Sequence, residues 1–199
     1  MTKLKKLLVI LTFIIAFLGI SSNAYASFDS SNIIIRHLPT DMADFIDSHN
    51  FHKVDNNFYR GSQPDKKDFQ NLAVLGIKTI INLRNEDKDD ISKQENIARK
   101  FGISYINIPM KASQPPTDNQ IAYFFKLLDN PQNLPVYVHC LQGKDRTGIM
   151  TALYRIRDYG WNFEQAFSEM KQKGHHDRIF PKHREFLHNF TQNFLFKNK

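Results

Sequence analysis

Cys140 and Arg146 stand six positions apart in Val136-Tyr-Val-His-Cys-Leu-Gln-Gly-Lys-Asp-Arg-Thr-Gly148, and Cys140 is the only cysteine of the chain. A short β-type run precedes the thiol and a helical pattern follows it. A thiol and a guanidinium so placed can carry phosphoryl transfer. Unpaired N–H groups at a helix N-terminus, together with the helix dipole, make an anion site. Consecutive loop N–H groups make a nest for a phosphate. Leu141, Gln142, Gly143, Lys144 and Asp145 would supply that nest. Arg146 can grip two phosphate oxygens with its planar fork. A free thiol titrates near 8.5, and helix N-termini and cations can lower this to about 3.5–7.5. Cys140 is therefore expected as a thiolate nucleophile, forming a cysteinyl-phosphate that water hydrolyses. Thr147 is expected to donate to the sulfur, and His139 to order the loop by hydrogen bonding.

A lone cysteine at a strand end is commonly a small buried hydrophobe. That reading leaves Gly143, Arg146, Thr147 and Gly148 unexplained at their offsets. From average composition, His-Cys-x-x-Gly-x-x-Arg-Thr-Gly arises by chance in roughly one chain in a million.

The elements that must position the loop follow from patterning. Phe51–Val54 and Asn57–Arg60 read as short strands around the turn residues Asp55 and Asn56. Pro64 and Asp65 open a helix stopped by Gly76. Ile77–Leu83 is an apolar strand. Ser92 and Glu95 form a capping box for a helix ending near Gly102. Ser104–Ile108 alternates as a strand. Thr117 and Gln120 cap a helix through Leu128. Val136–His139 is a further strand. Helices are expected from about Thr147 to Tyr159, Asn162 to Lys173 and Pro181 to Phe196. Strands alternating with helices predict an α/β domain with a mostly parallel central sheet flanked by helices. Cys140 then falls at the carboxyl end of a strand, where such sheets bind ligands.

The chain has 199 residues, 41% hydrophobic and 24% charged, which fits one globular domain. Lys3, Lys5 and Lys6, the apolar run Leu7–Ile20 and Ala24-Tyr25-Ala26 read as a signal peptide over residues 1–26. Export to the periplasm or beyond is expected. The domain layout is then 1–26 leader, 27–50 a loosely structured extension, and 51–199 the catalytic domain. Removing the three leader lysines takes the formal charge from +7 to +4, a moderate basic excess. It suits an anionic substrate or peripheral contact with an acidic membrane surface. No basic–aromatic interleaving points to nucleic acid. A monomer is expected.

His139-Cys-Leu-Gln-Gly-Lys-Asp-Arg-Thr-Gly148 resembles the signature loop of the cysteine-dependent protein tyrosine phosphatases, especially the compact dual-specificity branch. Asn57-Phe-Tyr-Arg-Gly-Ser-Gln-Pro64, Leu75-Gly-Ile-Lys-Thr-Ile-Ile-Asn-Leu-Arg84 and Gly160–Met170 resemble flanking segments of bacterial and atypical members. The resemblance covers about residues 51–175. It implies a dual-specificity phosphatase-like fold with no metal or cofactor, Cys140 as nucleophile and Arg146 as transition-state clamp. It also implies a phosphorylated protein, phosphoinositide or inositol phosphate as substrate. Lys144-Asp145 resembles the loop form of bacterial phosphatases that accept phosphoinositides as well as phosphoproteins. Lys144 would add a cation at the pocket edge, or be a solvated surface lysine.

The general acid is harder to place. The family usually puts an Asp just after the strand ending at Ile108-Pro109, but here no carboxylate occurs before Asp118. Asp118 also suits the first turn of a helix. Asp145, beside Arg146, is favoured as the proton donor. Asp87, Asp89 and Asp90 read as a solvated turn. His175-His176-Asp177 reads as a polar interhelix turn and not as a metal site. A catalytically weak phosphate- or phosphoinositide-binding module is the alternative function. A redox or arsenate-reducing thiol protein is a third, disfavoured because no resolving cysteine is present.

Overall fold

The computed structural model describes residues 40–85 and 88–197. The expected leader and residues 27–39 lie outside the described residues, as does Asp87. The elements are α1 (Thr40–Ser48), β1 (His52–Lys53), β2 (Phe58–Gly61), α2 (Asp68–Val74), β3 (Thr79–Asn82), α3 (Lys88–Lys100), β4 (Ser104–Asn107), α4 (Asp118–Leu128), β5 (Val136–His139), α5 (Asp145–Tyr159), α6 (Phe163–Gln172) and α7 (Pro181–Lys197).

The strand order is β1-β2-β5-β3-β4. β2, β5, β3 and β4 run parallel, and β1 adds an antiparallel edge. This is the α/β architecture expected, with a mostly parallel sheet flanked by helices. β2, β3 and β5 are buried on both faces, with Arg60, Thr79, Asn82 and His139 buried among their apolar residues. Gly61 and Asn82 both pair with His139, so the carboxyl ends of three central strands finish level. The loop that begins at Cys140 starts from that shared edge.

One face of the sheet carries the main core. Phe58, Val136 and Val138 meet Phe124 and Leu127 of α4, Ile149 and Leu153 of α5, and Phe167 of α6. Each such side chain contributes about 1.5–3 kcal/mol when fully buried. On the other face Tyr137 stacks on Phe51, with ring centroids 5.9 Å apart, and meets Phe45 of α1 at 6.3 Å.

Some boundaries differ from the sequence reading. Residues 40–48 form a helix where loose structure is expected, because Met42 and Phe45 are buried against the domain. Two apolar anchors are too few to register as helical periodicity. α2 begins at Asp68 and not at Pro64, with the Asp68 carboxylate accepting from the Asp65 N–H at 2.6 Å. α3 begins at Lys88, a turn before Ser92, with Asp89 and Asp90 facing its positive end. The capping boxes at Thr117/Gln120 and Asn162/Gln165 both form. α5 begins at Asp145, two residues earlier than expected, so Asp145 and Arg146 belong to its first turn.

Candidate active site

Cys140 is buried at the end of β5, and its loop runs over the edge shared with β2 and β3. The backbone of the loop is held from outside. The Cys140 carbonyl meets His139 Nδ1 at 3.1 Å. A carbonyl only accepts, so Nδ1 carries the proton of His139. The Leu141 carbonyl accepts from the Gln63 N–H at 3.2 Å. The Gln142 and Gly143 carbonyls accept from Asn50 Nδ2 at 3.5 and 3.2 Å, and Gly143 also accepts from Arg60 Nη2 at 2.7 Å. The Lys144 carbonyl accepts from the Gly148 N–H at 3.0 Å, within α5.

In a planar trans peptide the N–H points opposite the carbonyl. Tying these carbonyls to the scaffold therefore turns the N–H groups of residues 141–145 away from it, as an anion nest requires. Gly143 makes this turn with φ +69°. A Cβ there would also collide with Gly61 and come within 2.7 Å of Ser62 N. Only glycine satisfies both conditions.

The side chains on the loop divide in role. Arg146 is buried in the first turn of α5 and donates from Nη1 to the Met110 carbonyl at 3.3 Å. That contact ties the clamp to the segment between β4 and α4. The Thr147 hydroxyl is wholly buried and has no hydrogen-bond partner in the structure. Leu141 and Gln142 are exposed at the rim. Lys144 is half-buried, and its stem lies over Gly174, so it leans toward the α6–α7 connection. His139 is fully buried, and burial first, then Arg84 and Arg146, push its pKa down to about 4. It stays neutral near physiological pH, as a loop-ordering residue should.

Asp145 does not sit as a proton donor should. His175 Nδ1 and the His176 N–H lie 2.9 and 2.8 Å from Oδ1, and His176 Nδ1 lies 2.9 Å from Oδ2. Burial alone would raise its pKa, but these bonds outweigh it and hold the carboxyl at about 2. Both oxygens serve as an anchor for the α6–α7 connection. Asp118 is exposed in the first turn of α4, beside the Thr117 cap.

Several residues at the site carry weight that the sequence reading did not give them. Asn50 holds the loop from α1's end with a left-handed φ of 46°, a conformation Asn tolerates. Arg60 is 1% exposed beneath the loop. Gln63 bonds Leu141 through its backbone, while its side chain is fixed by Arg84 and Asp90. Arg84 and Asp90 pair at 2.8 Å, so Asp90 is part of this support and not a solvated turn. The one signal for Arg60 in the sequence was a cation inside an apolar strand. Among the described residues, His49, Asp65 and Asp68 gather three donor atoms within 4.8 Å, a His–Asp pair beside a helix start. The chemistry of the Cys140 loop calls on none of them.

A family model described as "PTP-NADK: DSP-PTPase phosphatase fused to NAD+ Kinase" matches residues 35–186, most of the chain. The chain belongs to this phosphatase family. Among similar proteins, the "Probable tyrosine-protein phosphatase DG1060" of Dictyostelium discoideum is 31% identical over 136 residues, 66% of this chain and 80% of that relative. The inositol diphosphatase DSP4 of Arabidopsis thaliana is 28% identical over 132 residues, 64% of this chain and 65% of that relative. The core catalytic domain of the PP-IP phosphatase SIW14 from S. cerevisiae, solved with citrate, superposes with a TM-score of 0.60 at 26% identity. The match covers 72% of this chain and 84% of that one. These matches place the chain in the dual-specificity phosphatase-like superfamily and support a hydrolase role.

Proposed function

We propose that this phosphatase-family chain hydrolyses phosphomonoesters through a cysteinyl-phosphate on Cys140. The observation that carries this reading is the loop whose carbonyls of residues 140–144 are all tied down, leaving its N–H groups to an anion. Cys140 Sγ attacks phosphorus, and the bond to the leaving oxygen breaks. Arg146 and the loop N–H groups hold the three equatorial oxygens as charge builds on them. Water then attacks the phosphocysteine, the sulfur leaves as thiolate, and inorganic phosphate departs. Thr147, whose buried hydroxyl has no other partner, is the donor that stabilises the departing sulfur.

No carboxylic acid is assigned to protonating the leaving oxygen, since Asp145 is held ionised as an anchor. A general acid supplies about 10²–10⁴-fold for poor leaving groups. Aryl phosphates should therefore outrun alkyl phosphates by about that factor, and Asp118→Asn should leave the ratio unchanged. A ratio near unity, or one that rises in the Asp118→Asn protein, would contradict this.

The substrate is best sought among molecules with several phosphates. The connection fastened to the loop by Asp145 carries Lys173 and Arg178 against one acid, Asp177, and Lys144 leans toward it. A cationic flank of this kind suits a polyanion. The names of the Arabidopsis and yeast relatives point the same way. Phosphotyrosine protein is the second reading, supported by the exposed Leu141 at the rim and the Dictyostelium relative's name. Phosphate release from inositol polyphosphate, phosphoinositide, phosphotyrosine peptide and phosphoserine peptide, compared in native and Cys140→Ser protein, decides between them. Tight Arg146-dependent binding with no turnover on any of these would instead favour a binding module. Export by residues 1–26 belongs to the same proposal. Intact-mass measurement on the secreted fraction should show a chain beginning at Ser27.

A further inference from the structure

Arg60 is the largest fully buried side chain described in the molecule, 1% exposed on β2. Only Nη2 is hydrogen-bonded, to the Gly143 carbonyl at 2.7 Å; Nε and Nη1 have no partner. A buried cation with unpaired donors is costly, and a neutral side chain would pack the strand more cheaply. Its position gives that cost a use. Arg60 pairs with Val138 across the β2–β5 ladder, two residues before Cys140, the first residue after β5. A Cβ on Gly148 would lie 3.9 Å from Nη2, so the guanidinium sits against the first turn of α5. The charged and titratable groups that act on it are Glu169 from α6, Cys140, Arg155 from α5 and Tyr137 from β5. Glu169 is already forked by Arg155, at 2.8 and 3.2 Å.

We propose that Arg60 is a positioning residue for the phosphate loop: its guanidinium locks the Gly143 carbonyl, turning the Lys144 N–H toward the phosphate, and places a fixed positive charge beneath Cys140. The inference rests on Cys140 being the nucleophile. Asn50 holds the same carbonyl from the other side, but it is neutral and cannot supply the charge. Burial lowers the Arg60 pKa to about 10, which leaves it cationic throughout the working range. Arg146 and Arg60 then bracket the loop, one gripping the substrate and the other setting the loop for it.

The test compares Arg60→Gln and Arg60→Lys with native protein by the rate of Cys140 alkylation with iodoacetamide at about pH 6 and about pH 9. Gln retains a donor for Gly143 and loses the charge. Arg60→Gln should react roughly tenfold slower than native at the lower pH and equally fast at the higher. Arg60→Lys should recover most of the loss. Affinity for inorganic phosphate should fall in Arg60→Gln with the fold unchanged by circular dichroism. Native protein and Arg60→Gln reacting equally fast at the lower pH would overturn the inference and leave Cys140 as nucleophile. A native thiol that is itself inert there would overturn the functional reading first. Should Arg60→Gln fail to fold, nitrogen NMR of the Arg60 guanidinium in native and Cys140→Ser protein replaces it. Its resonance should move with pH in the native protein only; no movement in either overturns the inference.

Discussion

Gly143 carries two constraints at one position, a left-handed backbone and close contact with Gly61 and Ser62. Gly143→Ala should cut phosphate release at least roughly tenfold, because left-handed strain alone costs about 1–2 kcal/mol, with secondary structure by circular dichroism unchanged. Arg146→Lys keeps the charge and loses the fork, and should lower kcat about 10²–10³-fold. Asp145 gives a pH-dependent prediction. Its folded pKa of about 2 lies below the ordinary value of about 3.9. A depressed carboxyl stabilises the fold above its unfolded pKa and loses that contribution as pH falls through the folded one. Asp145→Asn should therefore be less stable than native at neutral pH, with the gap closing between about pH 4 and about pH 2; denaturant unfolding at several pH values reads it. Cys140, Gly143 and Arg146 were legible because their spacing is the chemistry. Asn50, Gln63 and His176 were not, because they reach the loop from distant segments through hydrogen bonds that leave no local pattern.

At the scale of the element, the strands were read closely because β3 and β5 are built around the apolar residues Ile80, Ile81, Val136 and Val138 and end at polar loops. Helix starts depended on whether a cap signal faced competition. Thr117 caps as expected and Asn162, read only as a helix start, caps α6, while the box at Ser92 lies inside α3, where Asp89 and Asp90 already meet the helix's positive end. α1 escaped notice because, among the side chains described there, only Met42 and Phe45 are buried. Asn162→Ala should destabilise by about 1 kcal/mol in denaturant unfolding and leave kcat unchanged, since its cap lies in α6 and makes no bond to the loop. A loss of kcat at unchanged stability would contradict that assignment.

For the whole molecule, the level ends of β2, β5 and β3 explain why one loop can be anchored from so many directions. Gly61, Ser62, Gln63, Leu83 and Arg84 all emerge beside Cys140, and this convergence is a property of topology that residue types do not announce. Net charge acts at the same scale. If the cationic connection after α6 receives a polyanion, KM for inositol polyphosphate should rise with salt more steeply than KM for an aryl monophosphate, because screening weakens exposed charges. Equal salt slopes would argue for a substrate that meets the loop alone. The most direct test of the central claim is acid quenching during turnover of an aryl phosphate, followed by mass spectrometry of the Cys140 peptide. A phosphate on Cys140 in native protein, absent in Cys140→Ser protein that releases no phosphate, is the result expected. Steady phosphate release by the Cys140→Ser protein, with no phosphocysteine in the native one, would contradict it.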